Sequence, residues 1–279
     1  MCKKLLDAIP KETISQVYRD GLQPFVKETG KMVALIPRAI NAAFAPLEQW
    51  ILQRDYNVEE TKRALEMKLQ AVNPEDIVSP EPYVAVPALQ SISYCLSNEE
   101  LHNLYANLLA KAMLKNTKDE VHPAFVEIIK QMSPNDAIVL KKISDMGGFA
   151  AKVTFAINIK PPTVHLVGQA SRQMQITESI YNIFPDALSE KQVSISINNL
   201  HRLGIIDFID NNLSDSTLYE FANKSNLYER TKELFEEMKN SEEQPERIRT
   251  VKSSVAISTL GELFVKICIL DIESNQSTS

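Results

Sequence analysis

The feature that most constrains this chain is a run of apolar residues at helical spacing between positions 97 and 140. The first part of the run has steps of three and four residues, at Leu101, Leu104, Tyr105, Leu108, Leu109 and Ala112. This spacing places them on one face of a helix. Pro123 follows His122, and Pro134 follows Ser133. Because proline is well accepted in a first helical turn, these two positions predict the starts of a second and a third helix. The run therefore predicts a helical hairpin and one further helix.

The same stretch carries several short motifs in a fixed order. EELHNLYANLLAKAM has a paired acidic start and an Ala-Asn-Leu-Leu-Ala centre, and VHPAFVEIIKQMSPNDAIVLKKI has a His-Pro-x-Phe opening and a Ser-Pro-x-Asp-Ala junction. Over roughly Gln23 to Ile143, these motifs resemble the bacterial Abi-alpha family, a domain long of unknown function. The resemblance implies phage resistance by abortive infection. It supplies no catalytic residues.

The glycine content favours helices over sheets. Seven glycines in 279 residues are fewer than nucleotide-binding loops or all-β turns generally use. We predict a mainly α fold, with an all-helical domain over 1–131, a winged-helix-like α+β domain over 132–273 and a disordered tail over 274–279. Partial alternation over 150–159 is compatible with a strand, and 176–188 is compatible with a short helix.

The winged-helix prediction follows from the order of elements near the C-terminus. Ser189 to Leu203 reads as a capped helix that Gly204 ends, and Ile205 to Ile209 reads as a strand. A second strand, Val251 to Ile257, precedes a closing helix. An insertion at about 210–249 would separate the two wing strands and contain a charged helix of its own.

The first helix of this arrangement stands where a recognition helix would. Its candidate contacts with DNA or with a partner protein are Lys191, Ser194, Asn198, His201 and Arg202. Lys and Arg together number 30 against 36 Asp and Glu, which gives a net charge of −6. This balance weighs against nucleic-acid binding through a broad positive field and leaves room only for a local patch.

Residues 21–52 form the most hydrophobic region. Its helical stripe includes the candidate membrane or partner contacts Phe25, Val33, Ile36, Ile40, Phe44 and Trp50. Three interpretations are open: a core helix, a membrane-inserting or interfacial segment, or a self-association helix. The first predicts a cytoplasmic protein, and the second predicts membrane association on activation.

No motif in the sequence indicates catalysis. The P-loop, Gly-x-Gly-x-x-Gly, His-Glu-x-x-His and Gly-x-Ser-x-Gly patterns are absent. Three scattered cysteines do not form a zinc or disulfide pattern and suit a reducing cytoplasm. We therefore predict no catalytic residues, cofactor or metal, and a non-enzymatic phage-defence protein that acts through protein contacts or a membrane-active helix. The alternative is a winged-helix DNA-binding regulator.

Overall fold

The computed structural model describes residues 35–45, 58–92, 94–95, 98–160, 172–240 and 244–272. These residues belong to two compact units. The first unit contains the described residues up to Tyr94, then Tyr105–Val126 and the residues from Asp271 onward. The second unit contains Cys95–Leu104 and Glu127–Leu270.

All longer elements in the described part of the first unit are helices. Residues 35–44 are helical and are followed by α1 (Val58–Leu69), α2 (Pro82–Ile92), most of α3 (Glu99–Ala112) and the first turn of α4 (Ala124–Lys130). Its core contains large side chains that are at most 1% exposed: Leu65, Leu69, Leu89, Leu108, Leu109 and Phe125. The helix that the sequence predicts here is confirmed as α3, but from Leu104 to Ala112 the structure buries it on all sides and not on one face alone.

The second unit combines helices with one sheet. Its elements in chain order are α5 (Pro134–Asp145), β1 (Phe149–Ile159), β2 (Arg172–Gln175), β3 (Ile180–Tyr181), α6 (Glu190–Arg202), β4 (Ile206–Ile209), a 3₁₀ segment (Ser216–Lys224), α7 (Asn226–Lys239), β5 (Pro245–Ile257) and α8 (Thr259–Phe264). A π-helical turn, Val265–Ile269, continues directly from α8.

Two long strands dominate the sheet. The strand order is β2-β1-β5-β4, all pairs are antiparallel, and β3 also pairs with β1. The β1 and β5 register runs from Phe149 opposite Ala256 to Asn158 opposite Arg247, and a β-bulge then leaves Glu246 without an opposite residue. The ribbon formed by β1 and β5 therefore sets the length of the sheet.

The two faces of this ribbon differ. On one face, Val153 and Phe155 are fully buried in a cluster with Tyr219 and Leu227, which come from the 3₁₀ segment and α7. The Tyr219 hydroxyl also donates to the carbonyl of Ser253 at 2.9 Å. This is the covered face.

Successive side chains along a strand point to opposite faces of the sheet, so the residues between those of the covered face lie on the opposite face. Toward the end of the ribbon that carries the bulge, this face comprises one small buried residue and five polar ones: Ala156, Asn158, Gln173, Gln175, Arg247 and Arg249. We call these six residues the open face.

Gly261 allows α8 to begin close to the end of α6. A Cβ atom at this position would lie 2.0 Å from the carbonyl oxygen of Ile205, so any other residue would push the backbones apart. The Ser258 hydroxyl accepts from the Gly261 amide at 2.9 Å and donates to the Gly204 carbonyl at 2.6 Å. Gly204 itself has φ +74°, which explains a glycine after α6.

The prediction of a mainly α fold with a winged-helix-like domain is wrong, because the structure is mixed α/β. The two predicted wing strands do pair with each other, as β4 and β5. However, β5 begins at Pro245, inside the predicted insertion, and pairs along its length with β1. The sheet is therefore larger than a wing, and its principal pairing joins residues about a hundred positions apart, which no local pattern reveals.

Other predictions have different outcomes. The stretch 176–188, whose sequence is compatible with a short helix, instead contains β3 and irregular structure. The domain boundary at 131/132 stays a prediction. The tail over 274–279 lies outside the described residues, as do Phe25, Val33 and Trp50.

Candidate functional site on the outer face of helix α6

Helix α6 is fixed at both ends by local interactions. The Ser189 hydroxyl accepts from the Gln192 amide, and the Gln192 side chain accepts from the Ser189 amide, which is a capping box. At the other end the Gly204 amide donates to His201 O at 2.9 Å. Val193, Ile197 and Leu200 are buried and share the inner face of the helix, which packs chiefly against α5.

The outer face of α6 carries an exposed apolar side chain between two cations. Lys191, Ile195, Asn198 and Arg202 follow one another at steps of three and four residues and are all exposed. Ile195 retains 58% of its surface. We call these four residues the α6 stripe, and it contains three of the five predicted contact residues.

Ile195 is not among the contact residues that the sequence predicts for this helix. The signal for its exposure was present in the spacing. Val193, Ile197 and Leu200 are four and three residues apart and define the inner face, whereas Ile195 lies two residues from Val193, on the far side of the helix.

The Arg202 guanidinium is held by hydrogen bonds to two neighbouring side chains. Its Nε and Nη2 donate to Asn199 Oδ1 at 3.0 and 2.7 Å, and its Nη1 donates to Gln131 Oε1 at 3.0 Å. Both acceptors are uncharged, so the positive charge is positioned without being neutralised. The Arg202 guanidinium is therefore positioned to bind an anionic group.

A buried carboxylate fixes Asn199 in turn. Asn199 Nδ2 donates to Asp136 Oδ2 at 2.9 Å and to the Gln131 carbonyl at 3.0 Å. Asp136 is 1% exposed, and its Oδ2 also accepts from the Ser133 amide at 2.6 Å. Gln131, Ser133, Asp136, Asn199 and Arg202 form a continuous network that we call the Asp136 clamp.

The Asp136 clamp explains the Ser-Pro-x-Asp-Ala motif. Ser133 and Asp136 form the capping box of α5, and Pro134 occupies its first turn. The Asp136 carboxylate thus serves both the helix cap and the link to α6. This motif has a structural role in positioning α6 and Arg202.

The two remaining predicted contacts lie beside the α6 stripe. Ser194 is half-buried, and His201 is exposed. The centroids of the His201 and Phe208 rings are 4.5 Å apart, and His201 Nδ1 is 3.0 Å from the Ile206 carbonyl oxygen. Because a carbonyl oxygen only accepts, Nδ1 carries the hydrogen, and Nε2 is the nitrogen left to face a partner.

A depression lies between α3 and α5 in the same unit. Its volume is about 430 Å³, and its lining brings three acidic and two basic side chains together: Glu99, Glu100, Asp145, Lys141 and Lys142. These charges nearly cancel, so the cleft has at most a slight preference for a cation. Within the described part of the chain, no group of three or more His, Cys, Asp or Glu residues is placed to hold a metal ion.

The candidate contacts in the hydrophobic N-terminal region are buried wherever they are described. Ile36, Ile40 and Phe44 are 6%, 1% and 2% exposed. No helix within the described ranges has the length and apolarity needed to cross a bilayer. Membrane contact through residues 21–52 stays a prediction.

Comparisons with known proteins give one informative match. No significant match is found among curated proteins. A solved structure of an uncharacterized protein from the hydrocarbon-degrading marine bacterium Alcanivorax borkumensis SK2 is 15% identical, with 52% of this chain and 92% of that chain covered and a TM-score of 0.33. That similarity is too low to bear on function. The model of the family described as abortive infection alpha matches residues 53–268, most of the chain, and the chain therefore belongs to the Abi-alpha family.

Proposed function

We propose that this protein acts in phage defence by abortive infection, without catalysis, by binding a protein partner through the α6 stripe. Membership of the Abi-alpha family supports the biological role. The exposure of Ile195 between Lys191 and Arg202 supports the mode of action.

The chemistry of the α6 stripe fits a small protein interface. Protein interfaces commonly combine an apolar centre with a polar rim, and arginine is enriched among the residues that dominate binding energy. Ile195 would be the centre, with Lys191 and Asn198 at the rim. The Asp136 clamp holds the Arg202 side chain in one geometry, which lowers the entropy lost when it binds.

The membrane-active alternative has less support from the described residues. A membrane-active helix must expose its apolar face, whereas Ile36, Ile40 and Phe44 are buried. Release of this segment would require the first unit to open. Flotation with anionic vesicles before and after infection measures this directly, and recovery with the vesicles after infection would favour the membrane-active mechanism over ours.

Plaquing efficiency in cells that carry the gene tests the proposal. Ile195→Glu should reduce protection against a sensitive phage by at least about tenfold, because a charge at the centre of an interface is poorly tolerated. The matched control is Met67→Glu, since Met67 is also apolar, lies on helix α1 and is 67% exposed. Equal protection by the two variants would refute the role of the α6 stripe.

A crosslinking pull-down during infection separates a protein partner from DNA at the same helix. The wild-type protein and the Met67→Glu variant should capture the same protein, and Ile195→Glu should lose it. A gel shift that depends on Lys191 and Arg202 but not on Ile195, with no captured protein, would instead indicate DNA contact at α6.

A further inference from the structure

The open face of the sheet has a side-chain pattern that differs from the α6 stripe. Its residues lie in two cross-strand rows, because directly opposite residues of antiparallel strands point to the same face. One row is Gln175, Ala156 and Arg249, and the other is Gln173, Asn158 and Arg247. Each row thus has a glutamine on β2 and an arginine on β5.

The ends of both rows are accessible. Gln173, Gln175, Arg247 and Arg249 are exposed, Asn158 is half-buried, and Ala156 is 1% exposed at the bottom of its row. No acidic or aromatic residue belongs to the six that form the open face.

We propose that the open face binds duplex DNA, with its two rows placed in the major groove. Arginine bonds guanine in bidentate fashion, and asparagine and glutamine do the same with adenine, so these are the side chains that read base edges. The axes of β2 and β5, on either side of β1, are about 10 Å apart, so the side chains of one row are spaced to reach across a major groove that is about 12 Å wide. Rows two residues apart are separated by about 6.8 Å, which equals two base-pair steps.

The positive charge near the rows is local and limited. Lys160 follows β1 and is exposed, so it is a candidate phosphate contact beside the two arginines that face the base edges. Lys152 lies farther along the same face, but its Nζ is 3.9 Å from the centre of the Phe208 ring, and burial lowers its pKa against the opposing effect of Asp210. Lys152 is therefore not counted among the contacts.

Other polyanions fit this face less well. Single-stranded nucleic acid is usually bound through aromatic stacking, which these six residues do not provide. An acidic protein surface would match the arginines but would leave the acceptor oxygens of the amides unused. The combination of arginine with amides favours duplex DNA.

The first test is fluorescence anisotropy of the full chain with a labelled duplex of about 20 base pairs. One phosphate contact, from Lys160, predicts that affinity falls about 3.5-fold when salt rises from about 50 to about 200 mM. Arg247→Glu/Arg249→Glu should weaken binding at least about tenfold. Absence of wild-type binding at the lower salt would overturn the proposal, as would equally tight binding of single-stranded DNA or equal competition by poly-glutamate.

A matched charge reversal controls for net charge and for folding. Lys224→Glu/Lys239→Glu changes the net charge by the same amount on two exposed residues of the layer that packs over the covered face. This control should bind within about twofold of the wild type. Equal weakening by the two double variants would show that only overall charge matters and would overturn the proposal.

The second test asks whether bases are read. Selection from a random duplex library should give a preferred sequence, and Arg247→Lys/Arg249→Lys should keep the salt dependence but reduce that preference at least about tenfold, because lysine cannot form the paired hydrogen bonds. No preference in the wild type, or an unchanged preference in the lysine variant, would overturn the assignment of the rows to the major groove. Neither result bears on the partner proposed for α6.

Discussion

The α6 stripe and the open face both present arginines, but these arginines are positioned in different ways. Arg202 is held by side chains of the Asp136 clamp, with donor–acceptor distances of 2.7 to 3.0 Å. Arg247 and Arg249 are placed by the backbone register of β1 and β5. A side-chain network suits one fixed partner group, whereas a register leaves each arginine free to select its own contact.

The largest effect should come from unpacking the covered face beneath the open one. Phe155→Ala removes a fully buried ring and should cost about 3–5 kcal/mol of unfolding free energy. Arg249→Ala, on the other face of the ribbon, should change it by less than about 0.5 kcal/mol. Urea unfolding compares the two, and similar losses would mean that the open face also supports the core.

A smaller effect should separate the two faces of α6. Ile197→Ala empties a fully buried site and should cost about 2–4 kcal/mol, whereas Ile195→Ala should cost less than about 0.5 kcal/mol. The two changes remove identical atoms from positions two residues apart on one helix. Thermal unfolding of the two variants measures both losses of stability. A larger loss for Ile195→Ala than for Ile197→Ala would contradict the exposed placement of Ile195.

The Asp136 clamp should contribute less to stability but much to the position of Arg202. Asp136→Ala removes the cap of α5 and the acceptor of Asn199, at a cost of about 1–3 kcal/mol. In NMR relaxation, the Arg202 Nε–H should be rigid in the wild type and mobile in this variant, while Arg249 is mobile in both. The control is Asp145→Ala at the exposed end of the same helix.

The smallest effect should appear only in alkali. Burial raises the pKa of Tyr181 on β3 to about 12, although a hydrogen bond with Ser179 opposes the shift. The unfolded chain loses this proton near pH 10, so the contribution of the folded phenol is complete below pH 10 and is lost as pH rises toward 12. Tyr181→Phe should therefore lose less stability than the wild type between pH 9 and 11, by about 1 kcal/mol. Unfolding free energies of the wild type and Tyr181→Phe that fall equally between pH 9 and 11 would refute this prediction.

Local features of the sequence were sufficient to predict most helices. The polar pairs Ser133 with Asp136 and Ser189 with Gln192 are three residues apart, so helix starts are visible in a short window. The charged helix within the predicted insertion also corresponds to α7. These elements depend on neighbours within one or two turns.

The parts that could not be predicted depend on distant residues. Arg247, Ile248 and Arg249 alternate as in a strand, but one apolar residue among charged ones reads as a loop until β1 is known to lie beside it. The bond from Asn199 to Asp136 joins residues 63 positions apart. The exposure of Ile195, by contrast, was available from helical spacing.

The pairing of β1 with β5 has a consequence for synthesis of the protein. The residues of β1 emerge from the ribosome first, and they can pair with the whole of β5 only after Ile257 has been translated. Nearly a hundred residues separate the end of β1 from Ile257. When translation is interrupted, the unfinished polypeptide has β1 without its principal partner. Such a fragment exposes Val153 and Phe155, which makes it a substrate for proteases, so only chains completed through β5 can form the sheet.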